Sequence, residues 1–295
     1  MGNFWRSAVA KTPHGAPMHY LTKWVPAPKA MNEQNVRAAV DISLRRMKTE
    51  SLDMLQFHWW EYDHPGYKDA LQLLADMKTR DGSQKLVRNL ALTNFDTKRC
   101  RELVELGVPI VSNQVQFSLL DRRPLNAMVP YFEEHGAHLR CILRFAPRSA
   151  DDALSRAGVK ILAYGVLAGG FLTDRYLGQP PPRSKPETAS LGKYLKTIQQ
   201  AGGWGQLQRV LSACRRIADR HGVSIANVAT RWVLEQPTVA AAIIGARLGH
   251  ADAEHIQENL AALTFELDAT DHAELDAVFA EGEMLPGDCG DEYRR

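Results

Sequence analysis

The chain has 295 residues, and 45% of them are hydrophobic, which is enough apolar side chain to build a sizeable core. Its 36 lysines and arginines nearly balance 34 aspartates and glutamates, so the formal charge is only +2. This composition excludes a disordered chain, and no basic stripe interleaved with aromatic residues points to nucleic acid.

Apolar runs of strand length alternate with segments of helical period along the chain. The predicted strands are His19–Val25, Leu52–His58, Leu86–Thr93, Pro109–Val115, Val159–Gly165 and Ala240–Gly245. The predicted helices are Asn32–Lys48, Tyr67–Met77, Thr97–Glu105, Leu125–Glu134, Gln206–His221, Ser224–Leu234, Ala253–Ala262 and Asp271–Phe279. This order is typical of an α/β protein with a parallel sheet, and the early spacing suits a (β/α)8 TIM barrel. Six of the eight strands that such a barrel needs are visible.

Several expectations follow from what the sequence lacks. No GxGxxG motif follows a predicted strand, so no Rossmann dinucleotide site is predicted. The four cysteines lie far apart without a CxxC pair, which argues against a metal site or a disulfide framework and favours the cytoplasm. No stretch approaches 18 uninterrupted apolar residues, and no membrane association is expected.

Two residues that can carry chemistry end successive strands. Lys23 and His58 lie at the carboxyl ends of their strands, where barrel enzymes keep their active sites. Partial burial there can lower the pKa of a lysine and keep a histidine neutral, and both effects serve proton transfer or polarisation of a carbonyl group. The alternative is a structural ion pair for Lys23 and a hydrogen-bonded core histidine for His58.

Later strands end in groups that can hold a planar or phosphorylated ligand. Asn94 and Gln114 offer paired amide donors and acceptors, and Tyr164 offers an aromatic face. The alternatives are a helix cap for Asn94 and ordinary core packing for Tyr164. Gly245 and Arg247 precede the helical segment that carries Asn259, an arrangement in which backbone N–H groups and a guanidinium meet a phosphate. A solvated Arg247 is the alternative.

The order of six motifs is more specific than any one of them. The chain contains TKWVP, LDMLQFHWW, LALTNFD, VSNQVQFSLLDRRP, ILAYGVLAGGFLTDRYLG and IIGAR with EN further on. In this order and spacing they resemble the aldo-keto reductase superfamily, from near Gly2 to the last predicted helices. The resemblance implies a TIM barrel that binds NADP(H) without a Rossmann fold and reduces aldehydes or ketones.

The same resemblance implies roles for individual residues. Lys23 and His58 match the family's catalytic Lys and His. The other matching positions imply contacts with NADP(H): the nicotinamide carboxamide for Asn94 and Gln114, the nicotinamide ring for Tyr164, and the adenosine 2′-phosphate and adenine for Gly245, Arg247 and Asn259.

The sequence departs from the family pattern near its beginning. The family has two βα units that supply an Asp and the proton-donating Tyr, whereas here Met1–Phe4 already resembles the segment after that Tyr. Tyr20 cannot replace the donor, because three residues separate it from Lys23 and an odd separation places the two side chains on opposite faces of a strand. Exposed strand edges and impaired or absent activity are therefore expected.

A second departure divides the chain into a barrel-like part, an insertion and a tail. Residues 1–282 form the predicted barrel domain, and Ala137–Gly158 is predicted to be an insertion on its amino-terminal face, opposite the chemistry. Together with the first departure it favours a gene-model artefact over a partner-binding loop. The tail, residues 283–295, is rich in glycine and acidic residues; we expect it to be solvated, the alternative being a loop over the rim.

The sequence thus predicts an oxidoreductase of small-molecule carbonyl substrates that uses NADP(H). The alternative is a non-catalytic NADP(H)-binding barrel that regulates or partners another chain. Another barrel chemistry, such as isomerisation of a phosphosugar by Lys23 or His58, ranks last because it does not explain the two amide residues.

Overall fold

The computed structural model describes residues 19–77, 82, 85–142, 158–182, 186, 188–245 and 255–294, with the backbone alone over 136–142. Its strands are β1 (Leu21–Trp24), β2 (Leu52–His58), β3 (Val87–Thr93), β4 (Ile110–Gln116), β5 (Lys160–Tyr164) and β6 (Val239–Ile243). The α-helices of the described residues are α1 (Glu33–Met47), α2 (Gly66–Asp76), α3 (Thr97–Glu105), α4 (Met128–Ile142), α5 (Ala189–Gln200), α6 (Gly203–His221), α7 (Ile225–Leu234), α8 (Ile256–Leu260) and α9 (Ala269–Ala280).

The chain divides into two units. Unit 1 takes its described residues from Met1–Gln114, Glu134–Lys160 and Cys289–Arg295, and unit 2 from Val115–Glu133 and Ile161–Asp288. The strands are parallel to their neighbours in each unit. The α/β class that the sequence predicts is confirmed.

Unit 1 contains β1 to β3 and β4 as far as Gln114, and these strands pair in chain order. The odd-numbered residues of β2 and its extension, Leu55, Phe57 and Trp59, are almost completely buried, and the ring centroids of Phe57 and Trp59 lie 5.8 Å apart. Phe95, which follows β3, packs 6.3 Å from Phe57. Because alternate residues of a strand point to opposite faces, this aromatic core leaves the even-numbered residues for the other face of β2.

Unit 2 contains the last two residues of β4, β5 from Ile161 onward, and β6 with most of the later helices. The long helix α6 contacts α5, α7 and α9, and it buries an apolar stripe that includes Leu207, Leu211 and Ile217. A buried ion pair joins Asp121 and Arg123, whose closest oxygen and nitrogen atoms lie 2.7 Å apart. The side chain of Gln116 donates a further hydrogen bond of 2.8 Å to Asp121.

The helix boundaries follow from capping residues. Asn32 begins α1 in a capping box with Asn35, and Lys48 ends it in the left-handed conformation. Asp96 begins α3, where its carboxylate accepts a 2.7 Å hydrogen bond from the backbone of Arg99. The alternative that Asn94 caps this helix is therefore wrong.

All six predicted strands are present, each within a few residues of its predicted bounds. Two helix predictions need correction. Helix α5 was not predicted, and α4 does not end at Glu134 but continues through Gly136 to Ile142. Alanine, leucine and arginine follow Gly136, and these good helix formers carry the helix into the predicted insertion. Residues 143–157 of that insertion lie outside the described residues, so the insertion stays a prediction.

Strand β1 has an open side among the described strands, because it pairs there with β2 alone. Leu21 and Val25, at and just after its two ends, are 48% and 43% exposed. An unpaired edge presents backbone N–H and C=O groups to its surroundings. The exposed edge that the sequence predicts stays a prediction, since residues 1–18 lie outside the described residues.

Candidate active site

One face of the unit 1 sheet gathers the predicted catalytic residues. The strand register places Lys23 beside Gln56 on β2, and His58, two residues further along β2, beside Thr93 on β3. Thr93 is in turn beside Gln114 near the end of β4. Register partners in parallel strands point to the same face, as do residues two apart in one strand. Five polar side chains therefore share the face opposite the aromatic core.

Lys23 and Gln114 are in direct contact. The Lys23 ammonium donates a hydrogen bond to the side-chain oxygen of Gln114, 91 residues away in the chain. Although the Lys23 side chain as a whole is exposed, loss of hydration around its ammonium lowers its pKa. The fold thus joins a predicted catalytic residue to a predicted cofactor-binding residue.

His58 is buried with a neutral imidazole. Its side chain is 8% exposed, and burial lowers its pKa to about 4, helped by the positive charges of Lys23 and Arg294 and opposed by Glu292. Its Nε2 atom has no hydrogen-bond partner among the described residues. The alternative of a satisfied core histidine therefore does not hold for this atom.

Two neighbours of His58 also have a buried polar atom without a hydrogen-bond partner among the described residues. These atoms are the side-chain nitrogen of Gln56 and the hydroxyl oxygen of Thr93. A buried polar atom without a partner costs free energy, so native proteins rarely keep several of them together unless a ligand or water satisfies them. The donor set consists of neutral amide, hydroxyl and imidazole groups beside one ammonium, and it fits a planar polar group such as a nicotinamide carboxamide or a carbonyl.

Asn94 lies directly after β3 with its backbone held in the left-handed region, at φ 55°. Its backbone N–H donates a 2.9 Å hydrogen bond to the carbonyl of Gln114, and its side chain is buried. The structure thus brings together the backbones of the two amide residues that the sequence predicts to grip the carboxamide.

The end of the tail is attached to this site, and the prediction that the tail is solvated is wrong for Cys289, Gly290 and Arg294. Cys289 is buried, and the Arg294 guanidinium donates 2.6 Å hydrogen bonds to the Tyr62 hydroxyl and to the carbonyl of Asn94. Gly290 has φ 84°, and any Cβ there would lie 2.1 Å from the same carbonyl oxygen. A glycine is therefore required for this close approach.

Tyr293 brings an aromatic ring to His58. The two ring centroids are 5.7 Å apart at an interplanar angle of 87°, an edge-to-face contact. Sequence reasoning missed both Tyr293 and Arg294, because 235 residues separate His58 from Tyr293 and the glycine-rich composition of the tail carries no periodic signal.

The remaining predicted residues belong to unit 2 or fall outside the described residues. The Tyr164 hydroxyl lies 3.3 Å from the Lys193 ammonium, which is also 4.9 Å from the centre of the Tyr164 ring. Gly245 is exposed after β6, and Asn259 lies on the short helix α8. Arg247 lies outside the described residues. The predicted roles of these four residues stay predictions.

The protonation of His58 gives a prediction for pH dependence. Between pH 6.5 and about 4 the unfolded chain binds a proton at this residue that the folded chain does not, so stability falls as the pH falls through this range. The full effect is about 3 kcal/mol. Titration of the ring signals by NMR is expected to give a midpoint near 4. The variant His58→Gln should lose this part of the pH dependence, and a midpoint near 6.5 in the native chain would contradict the prediction.

None of the described helices is both long enough and apolar enough to cross a membrane. The described residues also contain no group of three or more His, Cys, Asp or Glu side chains that could hold a metal ion.

Solved structures with the same arrangement of parallel strands and helices are aldo-keto reductases. The glycerol dehydrogenase AKR11B4 from Gluconobacter oxydans superimposes with a TM-score of 0.67 at 21% identity, over 97% of this chain and 79% of that one. An aldo/keto reductase from Klebsiella pneumoniae, solved in complex with NADP and acetate, gives 0.57 at 21% identity, over 88% of this chain and 69% of that one. The fold is thus of the (β/α)8 barrel type, with six strands described.

The sequence gives the particular family. Residues 11–143 and 141–280 match the model of the aldo/keto reductase family, and the chain belongs to this family. Protein tas of Escherichia coli (strain K12) is 28% identical over 268 residues, which are 85% of this chain and 68% of that protein. Flagellar radial spoke protein 5 of Chlamydomonas reinhardtii is 29% identical over 201 residues, which are 63% of this chain. The chain spans 34% of that relative's length.

Proposed function

We propose that this chain binds NADP(H) and uses Lys23 and His58 to reduce aldehydes or ketones at a low rate. The observation that carries the proposal is the hydrogen bond from Lys23 to Gln114 beside Nε2 of His58, which is buried and has no hydrogen-bond partner among the described residues. A low rate is proposed because none of the residues that the structure describes matches the family's donor Tyr or its Asp. The proposed setting is the cytoplasm, since the described cysteines Cys100, Cys214 and Cys289 are unbridged.

A nicotinamide, when bound, supplies hydride to a carbonyl carbon. The residues of this chain would orient the groups around that event. Gln114 and Asn94 would hold the carboxamide, with Gln114 itself fixed by Lys23. The neutral His58 offers Nε2 to the carbonyl oxygen as a hydrogen-bond donor, and the Lys23 ammonium stabilises the negative charge that develops there.

Binding of the cofactor is tested first, by fluorescence titration of the whole chain with NADPH. Replacing the amide in Gln114→Leu removes hydrogen bonds to the carboxamide and leaves Lys23 without its partner, so the Kd is expected to rise about tenfold, equivalent to about 1.4 kcal/mol. The matched control is Gln72→Leu, the same change at an exposed position of α2. Equal affinities of the two variants would rule out the assignment of Gln114.

Turnover is tested separately, by following oxidation of NADPH with a panel of aldehydes and ketones. A slow rate that falls further in Lys23→Met supports the proposal. Rates comparable to those of fully active aldo-keto reductases would contradict the impairment, and absence of NADPH binding would remove the proposed function altogether.

The second candidate is a non-catalytic NADP(H)-binding barrel that acts as a component or regulator of a larger assembly. The similarity to a protein named for the flagellar radial spoke favours it. Tight NADPH binding without turnover of any carbonyl compound would support this candidate over the first.

A further inference from the structure

The backbone of Asn94 is held by hydrogen bonds to both of its peptide groups. Its φ of 55° is in the left-handed region, which asparagine tolerates better than most residues but which still needs support. The Asn94 N–H donates to the carbonyl of Gln114 at 2.9 Å. Its own carbonyl accepts a 2.6 Å hydrogen bond from the guanidinium of Arg294, 200 residues further along the chain. The end of the tail therefore holds a residue of the candidate active site.

Arg294 is itself fixed on several sides. Its side chain is 15% exposed, and its guanidinium lies 4.2 Å from the centre of the Tyr62 ring and donates a 2.6 Å hydrogen bond to the Tyr62 hydroxyl. It also forms ion pairs with Asp291 and, at 3.6 Å, with Asp96. A planar guanidinium with several N–H donors can meet such a set of partners at once, whereas a lysine ammonium is a point charge. The hydrogen bond to Asn94 thus has a defined geometry.

Gly290 brings the tail close to the same carbonyl group. Gly290 has φ 84°, and a Cβ atom there would lie 2.1 Å from the carbonyl oxygen of Asn94. Only glycine allows this approach. The tail therefore reaches Asn94 by two separate contacts, one made by a guanidinium and one that depends on the absence of a side chain.

We propose that Arg294 is a positioning residue for the cofactor, because it holds the Asn94 backbone in the conformation that directs the Asn94 amide to the nicotinamide carboxamide. The inference rests on the proposed function, in which Asn94 and Gln114 hold that carboxamide. The N–H and the carbonyl of Asn94 belong to two different peptide planes. Fixing both planes fixes the direction of the side chain between them, and such preorganisation lowers the free-energy cost of binding.

A coupling of this kind is reciprocal. If attachment of the tail favours binding of the cofactor, then bound cofactor favours attachment of the tail by the same factor. The backbone N–H groups of Tyr293 and Arg294 donate to the carbonyls of Gly290 and Asp291, at 3.0 and 3.1 Å. Their hydrogen exchange therefore reports how often the end of the tail opens.

The first test measures the Kd for NADPH of the whole chain by fluorescence titration. Arg294→Met removes the donors to Asn94, and the Kd is expected to rise about tenfold. Arg294→Lys keeps the charge without the planar group and should bind almost as weakly. The matched control is Arg88→Met. Arg88 forms an ion pair of 3.3 Å with Asp53, but its side chain is 60% exposed, so the native Kd is expected.

Gly290→Ala tests the same contact without changing Arg294. The added methyl group displaces either the tail or the carbonyl of Asn94, so the Kd should rise to a similar extent. Gly107→Ala is the matched control. Gly107 follows α3 and also has a positive φ, 77°, but a Cβ there meets no described atom within 4 Å. This variant should keep the native Kd.

Two further readouts separate positioning from a merely structural role. Saturating NADPH should slow the exchange of the Tyr293 and Arg294 N–H groups about tenfold in the native chain. The NMR midpoint of His58 should stay near 4 in Arg294→Lys and rise in Arg294→Met, which lacks the positive charge. Lower affinity at an unchanged midpoint in Arg294→Lys would assign the loss to geometry and not to charge.

Several results would overturn the inference. A native Kd in Arg294→Met or in Gly290→Ala does so while leaving the proposed function intact. Exchange that NADPH leaves unchanged or makes faster also does so, and this measurement on the native chain does not depend on the folding of any variant. Tighter NADPH binding by Arg294→Met would mean that the attached tail opposes the cofactor. Absence of NADPH binding by the native chain is a failure of the proposed function itself, and it removes the inference as well.

Discussion

The substitution Trp59→Ala is expected to destabilise the protein by about 3 to 5 kcal/mol, the range for removing a large aromatic residue from a core. Trp59 is completely buried directly after β2 and stacks on Phe57 at 5.8 Å. Its indole N–H also donates to the carbonyl oxygens of Glu61 and His64, at 2.7 and 3.1 Å. The variant would therefore lose packing and leave two carbonyl groups short of a donor. Denaturation by urea, followed by far-ultraviolet circular dichroism, measures the change.

The next residue provides the matched control. Trp60 is 43% exposed, so Trp60→Ala should cost under about 1 kcal/mol. Trp59→Phe separates the two contributions, since it restores part of the packing without the N–H group. Similar losses for Trp59→Ala and Trp60→Ala would show that the aromatic core of unit 1 is not packed as described.

The second large effect is expected for Asp121→Asn, in unit 2. The Asp121 carboxylate is fully buried and accepts hydrogen bonds from the Arg123 guanidinium at 2.7 and 2.8 Å, and one from Gln116. Neutralising it leaves the charge of Arg123 buried without compensation, which is expected to cost about 3 to 5 kcal/mol. The free energy of unfolding is again the quantity to measure.

Asp219→Asn is the control for this prediction. Asp219 forms an ion pair of 2.8 Å with Arg215, but its side chain is 67% exposed, so water replaces much of the interaction and the loss should stay under about 1 kcal/mol. If the two variants lose equal stability, the buried pair of Asp121 and Arg123 does not hold unit 2 together in the way argued above.

The strands could be predicted closely because parallel strands in α/β proteins are short apolar runs with turn residues at their ends. The β2 prediction, Leu52–His58, matches the structure at both ends. The helix α5 was missed for a local reason. It follows a proline-rich stretch and contains Gly192, two signals against a helix, although Tyr194, Thr197 and Ile198 have the helical spacing of its buried face.

Only part of the candidate site could likewise be found from the sequence. Lys23, His58, Asn94 and Gln114 could be found from the sequence, because each lies near or just after the carboxyl end of a strand, and these ends meet at one edge of a parallel sheet. The roles of Tyr164, Gly245, Arg247 and Asn259 rest on the family resemblance and stay predictions.

By itself the sequence determined the order of strands and helices along the chain, the polar residues near the strand ends and the resemblance to the aldo/keto reductase family, since these depend on local periodicity and on motifs in series. Only the tertiary structure decided that Lys23 donates to Gln114, that Nε2 of His58 is buried without a described partner, and that Tyr293 lies against the same imidazole. The physical reason is that such contacts join residues about 90 to more than 200 positions apart, and their burial depends on packing that no local pattern encodes.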